Sequence, residues 1–205
     1  MAIPKRKGKT WMLGKNMKPK KIVLIEYGII CLLVATFSAS AQSVIFVDDS
    51  ATDGGNGSSW ALAYNNLQTA LNVSFSGDTL HVAQGMYIAP RVVAPLLVDG
   101  FVLTSGIELL GGFAGPGFVD PDLRDPETFI TILTGDTDGD DDTPGGSRSD
   151  NSFHVVFALS LSMETILDGL TITAGNANST LPERGQGGGL TAGNSVLTIR
   201  NCTFL

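Results

Sequence analysis

Cysteine is almost absent from this 205-residue chain, which has only Cys31 and Cys202. Residues 42–205 hold only Cys202, so no internal disulfide can brace them and their stability must come from packing or metal. Lysine is missing from the same stretch: Lys5, Lys7, Lys9, Lys15, Lys18, Lys20 and Lys21 all precede residue 22. What remains after residue 41 is five arginines against fifteen aspartates and four glutamates, a formal charge of −14. Such a surface repels nucleic acid and acidic polymers unless cations intervene, so nucleic acid is excluded as a partner. Helical periodicity is scarce as well, and no nucleophile–base motif accompanies either histidine. Gly187-Gly188-Gly189 lacks the strand–loop–helix setting of a phosphate cradle, and no nucleotide site follows from it.

The lysines belong to an organised start. A basic segment leads into apolar Ile22–Phe37, with Glu26 its one charge, and then into Ala39-Ser40-Ala41. That layout predicts a secretory signal peptide over residues 1–41, cleaved before Gln42, and hence export to the cell surface or medium. The alternative is an N-terminal anchor, since Ile22–Phe37 is near the shortest length that spans a bilayer. Translation from Met17 would leave a compact basic start. Cys31 lies within apolar sequence after Ile30 and is no lipidation site. With this segment removed, the mature chain is expected to carry no membrane span.

Beyond it, Val44–Val47 reads as a buried strand and Asp48–Ser59 as an exposed glycine-rich loop. Trp60, Ala63, Tyr64, Leu67, Ala70 and Leu71 form one amphipathic stripe, predicting a single helix over 60–71 capped by Ser58 or Ser59. Residues 42–76 thus form an N-terminal strand, loop and capping helix. The helix would act as a lid on the first layer of strands in 77–205. Short strands follow at 80–82, 86–88, 96–98, 101–103, 107–110, 130–133 and 153–159, without helices between them. Three loops, 114–128, 135–152 and 174–188, interrupt the series.

Thr165–Thr173 and Val196–Phe204 are two versions of one line, 32 residues apart. The offset sets Leu167 on Ile199, Gly169 on Asn201, Leu170 on Cys202 and Ile172 on Phe204. Apolar residues alternating with threonine about a glycine or asparagine describe a strand, a sharp corner and a second strand. A unit of that size cannot bury its apolar face alone, so it stacks on copies of itself. The class is all-β: a solenoid of parallel rungs with long side loops. The line stops at Leu205 with no cap behind it, so further rungs or self-association are expected at that edge.

Several motifs carry a family resemblance. Val47-Asp48-Asp49, Ser59-Trp60 and Leu67-Gln68-x-Ala70-Leu71 stand at the start. Gly77-Asp78-x-Leu80-x-Val82-Ala83-x-Gly85-x-Tyr87, Leu110-Gly111-Gly112-Phe113, Leu133-Thr134-Gly135-Asp136 and Leu167–Ile172 follow. Together they resemble secreted right-handed parallel β-helix proteins of the pectin-lyase-like superfamily. Gly187-Gly188-Gly189-Leu190 is close to the Gly-Gly-Ala-Ile motif of bacterial surface proteins with polymorphic outer-membrane-protein repeats. The resemblance implies a right-handed β-helix, asparagine ladders at its corners (Asn201 and Asn176), and an activity that differs across the superfamily. Its lyases use Arg or Lys as base beside calcium-binding carboxylates.

Asp136, Asp138, Asp140 and Asp142 are the candidate metal ligands, because alternate carboxylates in a flexible loop can converge on a hard cation such as Ca2+. The loop is not an EF-hand: glycine occupies its fourth position and Ser147 its twelfth. A solvated acidic loop is the plainer alternative. Asp48, Asp49 and Asp53 read as loop caps, Asp168-Gly169 as a corner, and His81 and His154 as structural.

Two functions follow. The first is an exported non-catalytic protein that contacts polysaccharide or other cell-surface components, with no catalytic residue assigned. The second is a polysaccharide lyase or glycoside hydrolase working in a groove on the β-helix flank. The second requires the acidic loop to approach Arg91, Arg124 or Arg148.

Overall fold

The computed structural model describes residues 42–91, 99–179 and 185–205, all within a compact unit spanning Ser40–Leu205. The signal-peptide segment and the strand expected at 96–98 lie outside the described residues. Of the rest, most of the regular structure is parallel β. The strands are β1 (Val44–Val47), β2 (Thr79–Ala83), β3 (Gly85–Ile88), β4 (Phe101–Val102), β5 (Glu108–Phe113) and β6 (Thr131–Thr134). They continue as β7 (Val156–Leu159), β8 (Thr165–Asp168), β9 (Leu170–Thr173), β10 (Leu190–Gly193), β11 (Leu197–Arg200) and β12 (Thr203–Phe204). One α-helix is present among the described residues, α1 (Leu67–Val73). It is too short to cross a membrane.

The strands form three sheets, ordered β1-β2-β5-β8-β11, β10-β7-β4 and β12-β9-β6-β3, and every paired strand runs parallel to its neighbour. From β2 to β12 the chain visits the three sheets in unbroken rotation. The pairing is in register apart from a shift between His81 and Ala83 of β2 against β5, so like side chains stack in columns. Ile45, Leu80, Leu109, Leu167 and Ile199 make one column. Tyr87, Leu133, Ile172 and Phe204 make the second, and Phe101, Val156 and Leu190 the third. Leu80, Leu109, Leu133, Leu167 and Ile172 are fully buried, each contributing roughly 1.5–3 kcal/mol of apolar transfer. Leu167 pairs with Ile199 and Ile172 with Phe204, the partners given by the 32-residue offset.

The expected helix over 60–71 is divided. Trp60–Leu62 form a 3-10 turn, Tyr64 bridges to Val47, and the α-helix starts only at Leu67. Its cap is Asn66, whose side chain accepts from Thr69 N at 2.9 Å, while Ser59 makes no side-chain capping bond. Strand pairing at Tyr64 outweighs the helical stripe, and Trp60 packs on Phe46 and Phe113 instead of on a helix face. Leu67, Ala70 and Leu71 keep the predicted buried spacing. The strand β10 falls between the expected loop at 174–188 and the expected rung at 196–204, where no strand was foreseen. Its one large apolar residue, Leu190, carries too little alternation to mark it.

The segment from Asp48 to α1 closes the free edges of all three sheets at one end. Phe46 N donates to Gly57 O and Asp48 N to Tyr64 O beside β1. Met86 N of β3 donates to Asp49 Oδ2 at 2.8 Å. Val102 N of β4 donates to Gln68 Oε1 at 2.8 Å, and Gln68 Nε2 returns a bond to Val102 O at 3.4 Å. The lid is therefore a loop plus two side chains as much as a helix.

Corners between successive strands require a left-handed residue, Gly169 at φ 72° and Asn201 at φ 50°. Glycine takes that conformation without strain, and asparagine tolerates it. At Gly169 a Cβ would also stand 2.7 Å from Pro126 Cγ and 2.8 Å from Arg124 Nη2. Gly169→Ala is expected to cost about 1–3 kcal/mol. Asn201→Gly should shift stability far less, since only its amide bond to Asp168 is lost. Urea titrations of both variants check this; equal losses would show that the left-handed backbone is not what makes Gly169 costly to replace.

Candidate functional site

The outer ends of β5, β8 and β11 meet at Asp168. Its Oδ1 accepts from Asn201 Nδ2 at 2.9 Å and pairs with Arg124 Nη2 at 3.0 Å, and its Oδ2 pairs with Arg200 Nε at 2.7 Å. Arg124 also donates from Nε to Gly111 O at 2.8 Å and packs over the Phe113 ring. Burial pushes the Asp168 pKa up, but the Asn201 amide and the two guanidiniums outweigh it and hold the group below its ordinary value. Arg124 is thus committed to structure and is not free to act as a base. The predicted asparagine ladder does not form: Asn201 bonds Asp168, while Asn176 donates to Arg148 O and Ser152 O accepts from its backbone.

Beside this hub lies an open trough of about 720 Å³, lined in part by Arg124, Asp125, Glu127, Leu170, Asn201 and Thr203. Asp125 accepts from Thr128 Oγ1 at 2.8 Å and from Glu127 N at 3.1 Å. These bonds, the hydroxyl first, hold its pKa below the ordinary value. A glycosidase needs one carboxyl kept protonated as the acid, and Asp125 is arranged the opposite way.

The acidic loop forms a second centre. Oxygens of Asp136, Asp138, Asp140 and Asp150 all lie within 4.8 Å of one another, a cluster that could hold a metal ion. Asp142 was expected in this set and is exposed outside it. Its place is taken by Asp150, which the loop brings back ten residues after Asp140. The turn itself explains the exchange: Asp136 Oδ1 accepts from Gly139 N and Asp140 N, and Oδ2 from Asp141 N. Chain wrapped around Asp136 in this way carries Asp142 past the centre. Asp138 has its pKa raised by its hydrogen bond to Asp150 first, then by burial and by repulsion from Asp140, Asp150 and Asp136. No such shift would arise if the four carboxylates were apart.

Two arginines reach the loop. Arg91 Nη1 donates to Asp150 O at 2.6 Å, and Arg148 Nε lies 3.8 Å from Asp141 Oδ2. Asn151, 3% exposed, gives its Nδ2 hydrogens to Asp141 Oδ2 at 2.8 Å and Ala174 O at 2.9 Å. Neither Asp150 nor Asn151 was singled out from sequence, although Asp150-Asn151 follows Asp140-Asp141 as a second acidic–polar pair. Arg184 lies outside the described residues.

The remaining candidates are structural. Asp48 Oδ1 accepts from Ser50 N and Oγ, and Asp53 Oδ1 from Asn65 Nδ2 at 2.6 Å. His81 stacks on Phe113 at 4.2 Å, meets Phe46 edge-on, and has a buried Nδ1 without a hydrogen-bond partner. Burial holds its pKa down, so it stands neutral in an aromatic stack. His154 is fully buried with Nδ1 at 3.1 Å from Gly187 O. The two histidines have separate neighbours and form no pair.

Asp168→Ala leaves two guanidiniums and an amide without their acceptor and is expected to cost about 1–3 kcal/mol. Because its folded pKa is depressed, the carboxylate contributes fully above about pH 4 and its contribution is lost as pH falls through the folded value. Melting temperature against pH should therefore drop more steeply below about pH 4 for the parent than for Asp168→Ala. Parallel curves would remove Asp168 from the acid response.

No family model, curated protein or solved structure matches the chain.

Proposed function

We propose that the chain is an exported, non-catalytic right-handed parallel β-helix of pectin-lyase-like type, acting by contact with polysaccharide or other cell-surface components. The rotation of in-register strands through three parallel sheets supports the β-helix reading. One observation carries the non-catalytic reading: two of the trough's charged groups, Arg124 and Asp125, are committed to neighbouring partners. Arg124 is held by Asp168 and Gly111, and Asp125 is tied in its ionised form. The trough's polar lining suits sugar hydroxyls. The acidic loop is a seat for Ca2+, whose preference for six to eight oxygens fits a carboxylate cluster completed by water. Its role is to order the loop, not to take part in a reaction.

A calcium-assisted lyase is the second reading. It draws on Arg148, whose side chain is 71% exposed and sits beside Asp141.

Protein recovered outside the cell should begin at Gln42 by N-terminal sequencing; a product retaining Ile22–Phe37 would replace export with anchoring.

Melting curves in millimolar calcium and in chelator should differ for the parent, and the difference should shrink for Asp138→Asn with Asp140→Asn. Identical parent curves would remove the calcium seat. Incubation with acidic polysaccharides and calcium should give no unsaturated uronate absorbance. Its appearance, with loss in Arg148→Ala, would establish the lyase instead.

A further inference from the structure

Two oxygens in the acidic loop have no hydrogen-bond partner although both are buried: Asp141 Oδ1 and Asn151 Oδ1. The Asp141 side chain is 8% exposed and Asn151 is 3% exposed. The amide orientation of Asn151 is fixed, because its Nδ2 faces two acceptors, Asp141 Oδ2 and Ala174 O. Turning the amide over would set oxygen against oxygen twice. The two unsatisfied atoms therefore sit on adjoining groups, and both are hard oxygen acceptors. Native buried acceptors are rarely left in this condition, and an ion or a water is the ordinary explanation.

Charge separates those two explanations. Asp141 is an acidic side chain surrounded in its own loop by Asp136, Asp138, Asp140, Asp142 and Asp150. The cation nearest to it is Arg148, at 3.8 Å and largely in solvent. A water can supply two hydrogens but no charge. A buried carboxylate oxygen with so little compensation favours a positive ion. Asp141 stands outside the four-aspartate cluster, yet each half of the Asp141–Asn151 pair adjoins a member of it along the chain: Asp140-Asp141 and Asp150-Asn151. Two consecutive residues thus serve two different centres, once on each side of the loop.

We infer that Asp141 and Asn151 form a second, inner cation position beside the four-aspartate cluster, one that takes a hard divalent ion of the calcium class. This rests on the reading of the outer cluster as a calcium seat. Water completes the coordination, as it does for such ions at open sites. An ion there would join the acidic loop to the turn at Ala174 through Asn151, which already holds Ala174 O.

The test is calcium titration of the full-length chain by calorimetry, with Asp141→Asn, Asn151→Asp and Asp138→Asn compared. The parent should bind two calcium ions, and Asp141→Asn and Asp138→Asn should each bind one. Asn151→Asp loses both donated hydrogen bonds and adds a carboxylate against Asp141. It should melt below the parent in chelator and recover in millimolar calcium. A parent binding one ion, lost in Asp138→Asn and kept in Asp141→Asn, would overturn the inner position and leave the outer seat standing. One ion lost in both variants would overturn it too, making a single shared seat. No binding at all would overturn both readings. If Asp141→Asn fails to fold, Asn151→Asp still decides, because a depressed melt that calcium does not restore overturns the inner position.

Discussion

Parallel strands leave each level of this protein dependent on the levels beside it. Within a level there are few hydrogen bonds to hold a corner in place. The Asp168 carboxylate supplies what the backbone cannot, by accepting from Asn201 and pairing with Arg200 on one side and Arg124 on the other. Arg124 extends the connection to Gly111 O, so three successive corners converge on one carboxylate. The side loop after β5 is held by the same bonds, and with it the wall of the trough. A single depressed carboxyl therefore fixes both the stacking register and the shape of the flank.

That arrangement explains how a stretch with five arginines and nineteen acidic residues stays compact. The described arginines go where they join separate segments. Arg124 and Arg200 meet at Asp168, and Arg91 and Arg148 reach the acidic loop. The loop is left with more carboxylate than guanidinium, and the pKa of Asp138 is raised by its hydrogen bond to Asp150 first and by repulsion from its neighbours after that. The cluster could hold a metal ion, which would relieve that repulsion. The contrast between the two centres is physical: Asp168 holds two guanidiniums on its own oxygens, whereas Arg91 and Arg148 reach the loop at the Asp150 carbonyl and at Asp141.

Much of the layering was legible in sequence because the pairing period is carried by side chains of one kind at fixed spacing. Leu167 and Ile199, or Ile172 and Phe204, announce their partnership through the 32-residue offset, and Gly169 and Asn201 announce their corners. Positions decided by tertiary contact were not legible. Tyr64 breaks a helical stripe because Val47 offers a strand partner, and no local propensity encodes that. Asp150 displaces Asp142 because the chain wraps round Asp136 and returns, a path set by backbone bonds to a carboxylate. Asn151 carries no local signal at all. Its importance lies in where its amide is forced to point.

The 48–73 segment shows how the same physics closes an edge. Each free strand edge at that end exposes N–H groups that a further level would have taken. Backbone serves β1, but β3 and β4 are served by one side-chain oxygen each, from Asp49 and Gln68. A carboxylate or amide oxygen can replace a strand's carbonyl wherever the chain passes close enough, and Gly85 makes that approach possible for Asp49. A Cβ there would lie 2.5 Å from Asp49 Oδ1. Asp49, Gln68 and Gly85 thus belong to one device although they lie far apart in sequence. The lid works through the oxygens it carries on its side chains, and that is why the segment before α1 matters as much as α1 itself.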